Sequence, residues 1–281
     1  MKRLPRINRM RIAVGTEKLY AELIGDHSLR GASEMTETVV LCHGVGGNHA
    51  SWFQQVPFLA RHFRVLTWDQ RGFGNSSNEA SLASPAQAVT DLRAIVEEAN
   101  LGRVHLVGQS MGGWAALGYA LKFPGDVRSL VLSDSLGGMF TDSSRAALDA
   151  HVESRNSAGS RAPVLGTNAA TAGDFVKRRP ALAFLFQQIA SFSPAIPQDA
   201  LSQLRRTEVS IDAVAALEIP MLFILGNSDH VFPPEAVRDV VGQIPQAELT
   251  LIAGAGHSAY FERPEEFNGA LLDHLTAHRG P

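Results

Sequence analysis

A single cysteine, Cys42, among 281 residues excludes an internal disulfide. Its place at the end of an apolar run marks it as a small buried side chain, and both points suit a cytoplasmic location. Long apolar runs are missing too. Stretches such as Met221 to Leu225 fall far short of the roughly 20 residues needed to cross a bilayer, so no membrane partner is expected. The first residues, MKRLPRINRM, are basic but lack the apolar core and cleavage site of a secretory signal, and read as a solvated terminus. Neither sign of charge dominates: 25 Lys and Arg against 28 Asp and Glu leave a net −3, interspersed along the chain. That balance argues against nucleic acid as a partner. There is no internal repeat or low-complexity tract, and no His/Cys cluster has ligand spacing, so neither a metal nor an organic cofactor is expected.

What is present is alternation. Short β-branched and apolar runs alternate with longer stretches of helical period, which predicts an α/β fold built on a mostly parallel sheet flanked by helices. The predicted strands are Arg11 to Val14, Leu19 to Ile24, Val39 to Cys42, Arg64 to Trp68, Val104 to Val107, Leu130 to Ser133, Met221 to Leu225 and Leu249 to Ile252. The first two form a hairpin through Gly15 and Thr16. Pro85 to Glu98, Met111 to Lys122, Pro234 to Gln243 and Pro264 to Leu275 read as helices, several opening on a proline whose missing N–H costs nothing there. Between about Met139 and Asp212 no strand-like run occurs. Helical fragments (Ser143 to Glu153, Asp174 to Ala190, Pro197 to Arg206) predict an insertion over the carboxyl edge of the sheet, where open α/β sheets bind ligands. The expected organisation is a core in two parts, 1–138 and 213–281, with a helical lid at 139–212.

Gly108-Gln109-Ser110-Met111-Gly112 follows a predicted strand and opens a helix, the context a nucleophile elbow requires. Alone the pattern is weak. A serine hydroxyl needs a base and a third group that orients the base. His257, in Gly254-Ala255-Gly256-His257-Ser258, lies just after the last strand and so converges on the same sheet edge. Most of the other histidines, including His49, His62, His151, His274 and His278, are expected in solvated positions. The acid is Asp229, framed by Gly226 and Pro233 after the strand MLFIL, with Asp134 as rival because it directly follows LVLS. Backbone donors for a developing oxyanion are assigned to Met111 and, in the glycine-rich loop after the third strand, to Val45, with Gly46 as alternative. His43 is expected to pack its ring beneath that loop. Trp52, Met139, Phe140, Phe184, Val231 and Phe232 are the candidate pocket residues, and their apolar character points to a small or medium, fairly hydrophobic small-molecule substrate.

Four motifs in order, His43-Gly44, the Asp69 to Ser76 stretch DQRGFGNS, GQSMGG, and the acid and histidine loops, make the chain resemble the α/β-hydrolase superfamily from about Arg11 to Leu275. The order Ser, Asp, His is also that family's. The resemblance implies an eight-stranded sheet and a Ser-His-Asp carboxylesterase or lactonase acting through an acyl-enzyme. In DQRGFGNS, Asp69 and Arg71 are read as a structural ion pair. Epoxide hydrolases and haloalkane dehalogenases place aspartate where this chain has Ser110, which counts against both. C–C hydrolases of ring-cleavage products share S-M-G-G but carry tryptophan after the histidine and D-x-P-G, where this chain has Ser258 and Asp69-Gln70-Arg71-Gly72; they are the runner-up. Proline iminopeptidases share D-Q-R-G but differ at the elbow. A slow-turnover ligand sensor, like some hydrolase-like hormone receptors, is the alternative of another class. Monomer and homodimer both stay open.

Overall fold

The computed structural model describes residues 5–25, 37–79, 81, 83–157, 164–166, 168–193 and 200–280. All eight predicted strands form: β1 Ile7–Val14, β2 Glu17–Ile24, β3 Thr38–Cys42, β4 Arg64–Trp68, β5 Val104–Gln109, β6 Val127–Ser133, β7 Met221–Gly226 and β8 Ala247–Ile252. They make one sheet in the order β1-β2-β4-β3-β5-β6-β7-β8. β1, β2 and β4 pair antiparallel, and every pair from β4 to β8 is parallel. Gly15, at φ +63, turns the β1–β2 hairpin, with Val14 opposite Glu17. A left-handed backbone at that position is one that glycine adopts without steric cost.

The helices are α1 Val56–Leu59, α2 Pro85–Glu98, α3 Gly112–Lys122, α4 Asp142–Ser157, α5 Phe175–Arg178, α6 Pro180–Ser191, α7 Ala200–Arg206, α8 Ile211–Ala215, α9 Pro234–Val241, α10 Ala259–Glu262 and α11 Pro264–Ala277. The predicted helix from Asp174 to Ala190 is two. Arg179, at φ −141 and ψ 63, breaks it, because the ring of Pro180 disfavours helical geometry in the residue before it. Of the segment predicted from Pro197 to Arg206, residues 197–199 lie outside those described. Among the described residues, no strand interrupts α4 to α8, so the elements between β6 and β7 are helices, in the stretch where the insertion is expected.

Side chains alternate across the sheet with period two, which builds two cores. On one face Val40, Cys42, Leu106 and Phe223 pack with Leu92 and Ile95 of α2, Leu117 of α3 and Val240 of α9. On the other, Val39, Leu41, Val107 and Ile224 pack with Phe261 of α10, Phe267 and Leu271 of α11, and Phe175 and Ile189 of the insertion. Cys42 is fully buried, with Trp68 Nε1 donating to its sulfur at 3.3 Å. Burial pushes its thiol up to about 12, so it is an inert core residue.

The DQRG stretch differs from expectation. Arg71 does not meet Asp69. It reaches α2 and forms a bidentate pair with buried Asp91, at 3.0 and 2.7 Å, with Glu17 at 3.5 Å. Asp69 instead accepts from His49 N at 2.6 Å, from His49 Nδ1 at 2.8 Å and from Asn75 N at 2.7 Å. Its carboxyl is fully buried and carries enough donors to be held below the usual range, against the pull of desolvation. Asp69 thus ties the loop to its neighbour, while Arg71 ties it to a helix.

Candidate active site

Five strand-end loops converge at the carboxyl edge. β5 runs into Ser110, whose φ of +47 is costly for a residue with a Cβ. The constraint that imposes it is the close passage of helix and sheet. A Cβ on Gly108 would sit 2.5 Å from Gly112 O, and one on Gly112 would sit 2.1 Å from Cys42 O. Glycine at both positions lets α3 start directly behind the serine, projecting its hydroxyl outward.

β8 leads to His257 and β7 to Asp229. The two loops cross tightly, since a Cβ on Gly226 would lie 2.0 Å from Gly256 O. Ser110 Oγ lies 2.9 Å from His257 Nε2, and His257 Nδ1 lies 2.8 Å from Asp229 Oδ2. Facing a carboxylate, Nδ1 carries the ring proton, leaving Nε2 to accept from the serine hydroxyl. Asp229 is fixed in turn: its Oδ1 accepts from Val231 N at 2.7 Å and Phe232 N at 3.1 Å. Burial alone would lower the His257 pKa, but the charge and hydrogen bond of Asp229 outweigh it, and the net displacement is upward.

Asp134, the rival acid, does not hydrogen-bond the imidazole. Its Oδ1 accepts from Gly226 N at 2.9 Å; its Oδ2 accepts from Ala259 N at 3.1 Å and from Ser133 Oγ at 3.0 Å. It therefore pins the acid loop to the histidine loop from below. Desolvation, then the nearby charge of Asp229, push its carboxyl up to about 7.

The loop after β3 closes a turn, with Gly47 N donating to Gly44 O at 3.0 Å and Gly46 at φ +77. His43 lies beneath it, fully buried. Its Nε2 accepts from Gln70 N at 2.9 Å, and its Nδ1 donates to Gly44 O at 2.8 Å. Val45 borders the same cavity as Ser110. Met111, the residue between Ser110 and α3, is buried and borders a smaller cavity together with Gln70 and Arg71.

The cavity at Ser110 has a volume of about 200 Å³ and brings Ser110 and His257 together with Val231 and Phe232. From the stretch between β6 and β7, Leu148, His151, Phe186, Ile189 and Leu204 line it as well. Four expected lining residues do not reach it. Trp52 is fully buried against Tyr260, 4.7 Å away, and Met139 is fully buried in the α2–α3 core. Phe140 packs on Trp114 beneath the Arg145 guanidinium. Phe184 is on the outer face of α6, 43% exposed, while Phe186 two residues on turns inward against Phe261. Nor are all the histidines expected in solvent found there: His151 lines the cavity, and His274 is buried, which lowers its pKa to about 4. Among the described residues, no group of three or more His, Cys, Asp or Glu could hold a metal, and no helix is long and apolar enough to cross a membrane.

A serine on a tight strand–helix turn, hydrogen-bonded to a strand-end histidine, is the arrangement of an α/β hydrolase. The chain belongs to that family: residues 37–264 match the alpha/beta hydrolase fold. It is 28% identical over 260 residues to a putative carbamate hydrolase RutD of Pantoea ananatis, covering 85% of this chain and 88% of that one. It is 28% identical over 273 residues to Lipase 1 of Psychrobacter immobilis, covering 92% and 81%. Among solved structures it superposes on a malate-bound thermophilic esterase from Thermogutta terrifontis with a TM-score of 0.76, at 23% identity and covering 98% and 100%.

Proposed function

We propose that this hydrolase cleaves a carboxylic ester or lactone of small to medium, fairly apolar character, with Ser110 as nucleophile, His257 as general base and acid, and Asp229 as the group that orients it. The observation that carries the reading is the unbroken line of hydrogen bonds from Ser110 Oγ through the imidazole to Asp229, at 2.9 and 2.8 Å. His257 takes the hydroxyl proton as Ser110 attacks the carbonyl carbon, and passes it to the leaving alkoxide. Water, deprotonated by the same nitrogen, then releases the acid and restores the serine. Backbone N–H groups of Val45 and Met111 hold the oxyanion, each worth about 3 kcal/mol. The helical insertion acts as the lid, and its aliphatic and aromatic lining of the cavity favours an apolar substrate group.

The test is a p-nitrophenyl ester and lactone panel with the wild type and Ser110→Ala. The reading requires steady turnover that the substitution reduces by about 10⁴-fold or more. Full activity in Ser110→Ala would refute it. Consumption of a vinylogous 1,5-diketone acid with poor ester turnover would replace it by C–C hydrolysis, and negligible turnover of every compound by a ligand sensor.

A further inference from the structure

One buried carboxylate near the site has no part in the proton relay. Glu262, the last residue of α10, is 3% exposed. Its two oxygens accept from two backbone N–H groups on separate parts of the chain: Oε1 from Gly256, the residue before His257, and Oε2 from Ala172 of the insertion, each at 2.9 Å. The two segments it joins touch directly. A Cβ on Gly256 would lie 2.6 Å from Ala172 N and 2.7 Å from Thr171 C. Just upstream of Ala172, Asn168, Ala169 and Ala170 form a wall of the cavity that holds Ser110. The wall is an ordered turn: Thr171 N and Oγ1 both donate to Asn168 O, and Asn168 Oδ1 accepts from Ala170 N. Its other end meets the acid loop, where His230 Nε2 lies 3.1 Å from Ala169 O.

We propose that Glu262 is a positioning residue that fastens the 168–172 wall of the cavity to the histidine loop and so sets selectivity for the length of the substrate group lying against that wall. The inference rests on the acyl-hydrolase reading for its substrate but not for its geometry. Glu262 touches neither Ser110 nor the imidazole; it acts through the two backbone segments it holds in register.

Both oxygens act as acceptors in the clamp, which is strongest with the ionised carboxylate. Desolvation pushes the carboxyl up to about 7, while the bonds from Ala172 and Gly256 and the charge of Arg178 pull the other way and Asp174 adds to the rise. The charged groups around it are Arg178 and Asp174 at α5, Arg263, whose guanidinium turns toward Gly254, and His257 itself. Protonation would turn one oxygen into a hydroxyl, a weaker acceptor for its N–H. The wall is then held less firmly at lower pH.

The experiment uses the full chain and two ester series, one lengthening the acyl chain on p-nitrophenol and one lengthening the alcohol of a butyrate. In the wild type, selectivity for the longer member in one series weakens as pH falls from about 8 to about 6, through KM rather than kcat. In Glu262→Gln, whose amide offers one acceptor and opposes the other N–H, that selectivity falls by about fivefold or more at high pH and no longer varies with pH. Labelling of Ser110 by a short alkyl fluorophosphonate checks that the variant keeps an intact nucleophile. Wild-type selectivity independent of pH in both series would overturn the proposal, whether or not the variant folds. So would a Glu262→Gln protein that loses all esters equally and melts earlier. If wild type is labelled at Ser110 yet turns over no ester, the acyl-hydrolysis reading has failed instead. The clamp is then read from the labelling-rate ratio of long to short fluorophosphonates under the same criteria.

Discussion

Asp229→Asn separates the two carboxylates near His257. Asp229 Oδ1 is committed to two N–H donors, Val231 and Phe232, and only Oδ2 faces the imidazole. An asparagine that keeps its oxygen on those donors must turn its NH2 toward Nδ1. The ring then carries its proton on Nε2, where it cannot accept one from Ser110. The opposite flip restores the productive tautomer but sets the NH2 against two buried N–H groups. At about 1 to 3 kcal/mol for each unmet donor, that conformer lies about 2 to 6 kcal/mol higher. The lost charge also removes stabilisation of the imidazolium in the transition state. Together these predict a fall in kcat of about 10³-fold or more, close to the 10⁴-fold effect of a wrong tautomer. Initial rates with p-nitrophenyl butyrate, at a saturating concentration, measure it. A loss under about tenfold would show that another acid, Asp134 foremost, orients the histidine.

Asp134→Asn should cost about tenfold or less, because the carboxylate supports the loops rather than the ring; the acid limb of its kcat/KM profile should shift to lower pH, since a charge that raises His257 is gone. In the wild type that limb should lie above pH 6.5, because the base works neutral and its pKa is raised. Stability carries its own signature: the Asp134 carboxyl is raised to about 7 from 3.8, so the folded state binds more protons between those values and stability falls as pH rises through that window. Urea midpoints across it should decline, less steeply in Asp134→Asn. Gly112→Ala, with its new methyl 2.1 Å from Cys42 O, should destabilise by about 3 kcal/mol and displace the elbow, whereas Gly125→Ala, with open space around it, should stay within about 0.5 kcal/mol. Arg71→Ala leaves Asp91 buried without its bidentate partner and should cost about 3 to 5 kcal/mol in urea denaturation.

The sheet and the hydrogen-bonded line from Ser110 to Asp229 were legible in the sequence because both follow from position along the chain. Apolar runs of strand length mark the strands, and residues just past their carboxyl ends must share one edge, which is how Ser110, Asp229 and His257 could be grouped. The pocket wall was not legible, because it depends on how each helix of the insertion is rotated. Phe184 and Phe186 look alike in the sequence, yet one faces solvent and the other the cavity side. Asp69 and Arg71 are two apart on a loop and point to different neighbours, which composition does not reveal. Glu262 did leave a trace: an acid closing the apolar run Ala259-Tyr260-Phe261 straight after the histidine loop is a carboxylate drawn into a core, and such a group needs donors.

In the proposed chemistry Ser110 forms a covalent acyl-enzyme. Rapid-quench intact-mass spectrometry with a p-nitrophenyl ester, followed by peptide mapping, tests it directly. One acyl group per chain is expected on the peptide containing Ser110, appearing at the rate of the nitrophenolate burst and absent in Ser110→Ala. Turnover at full rate with no adduct on that peptide, or with the adduct on another residue, would contradict it.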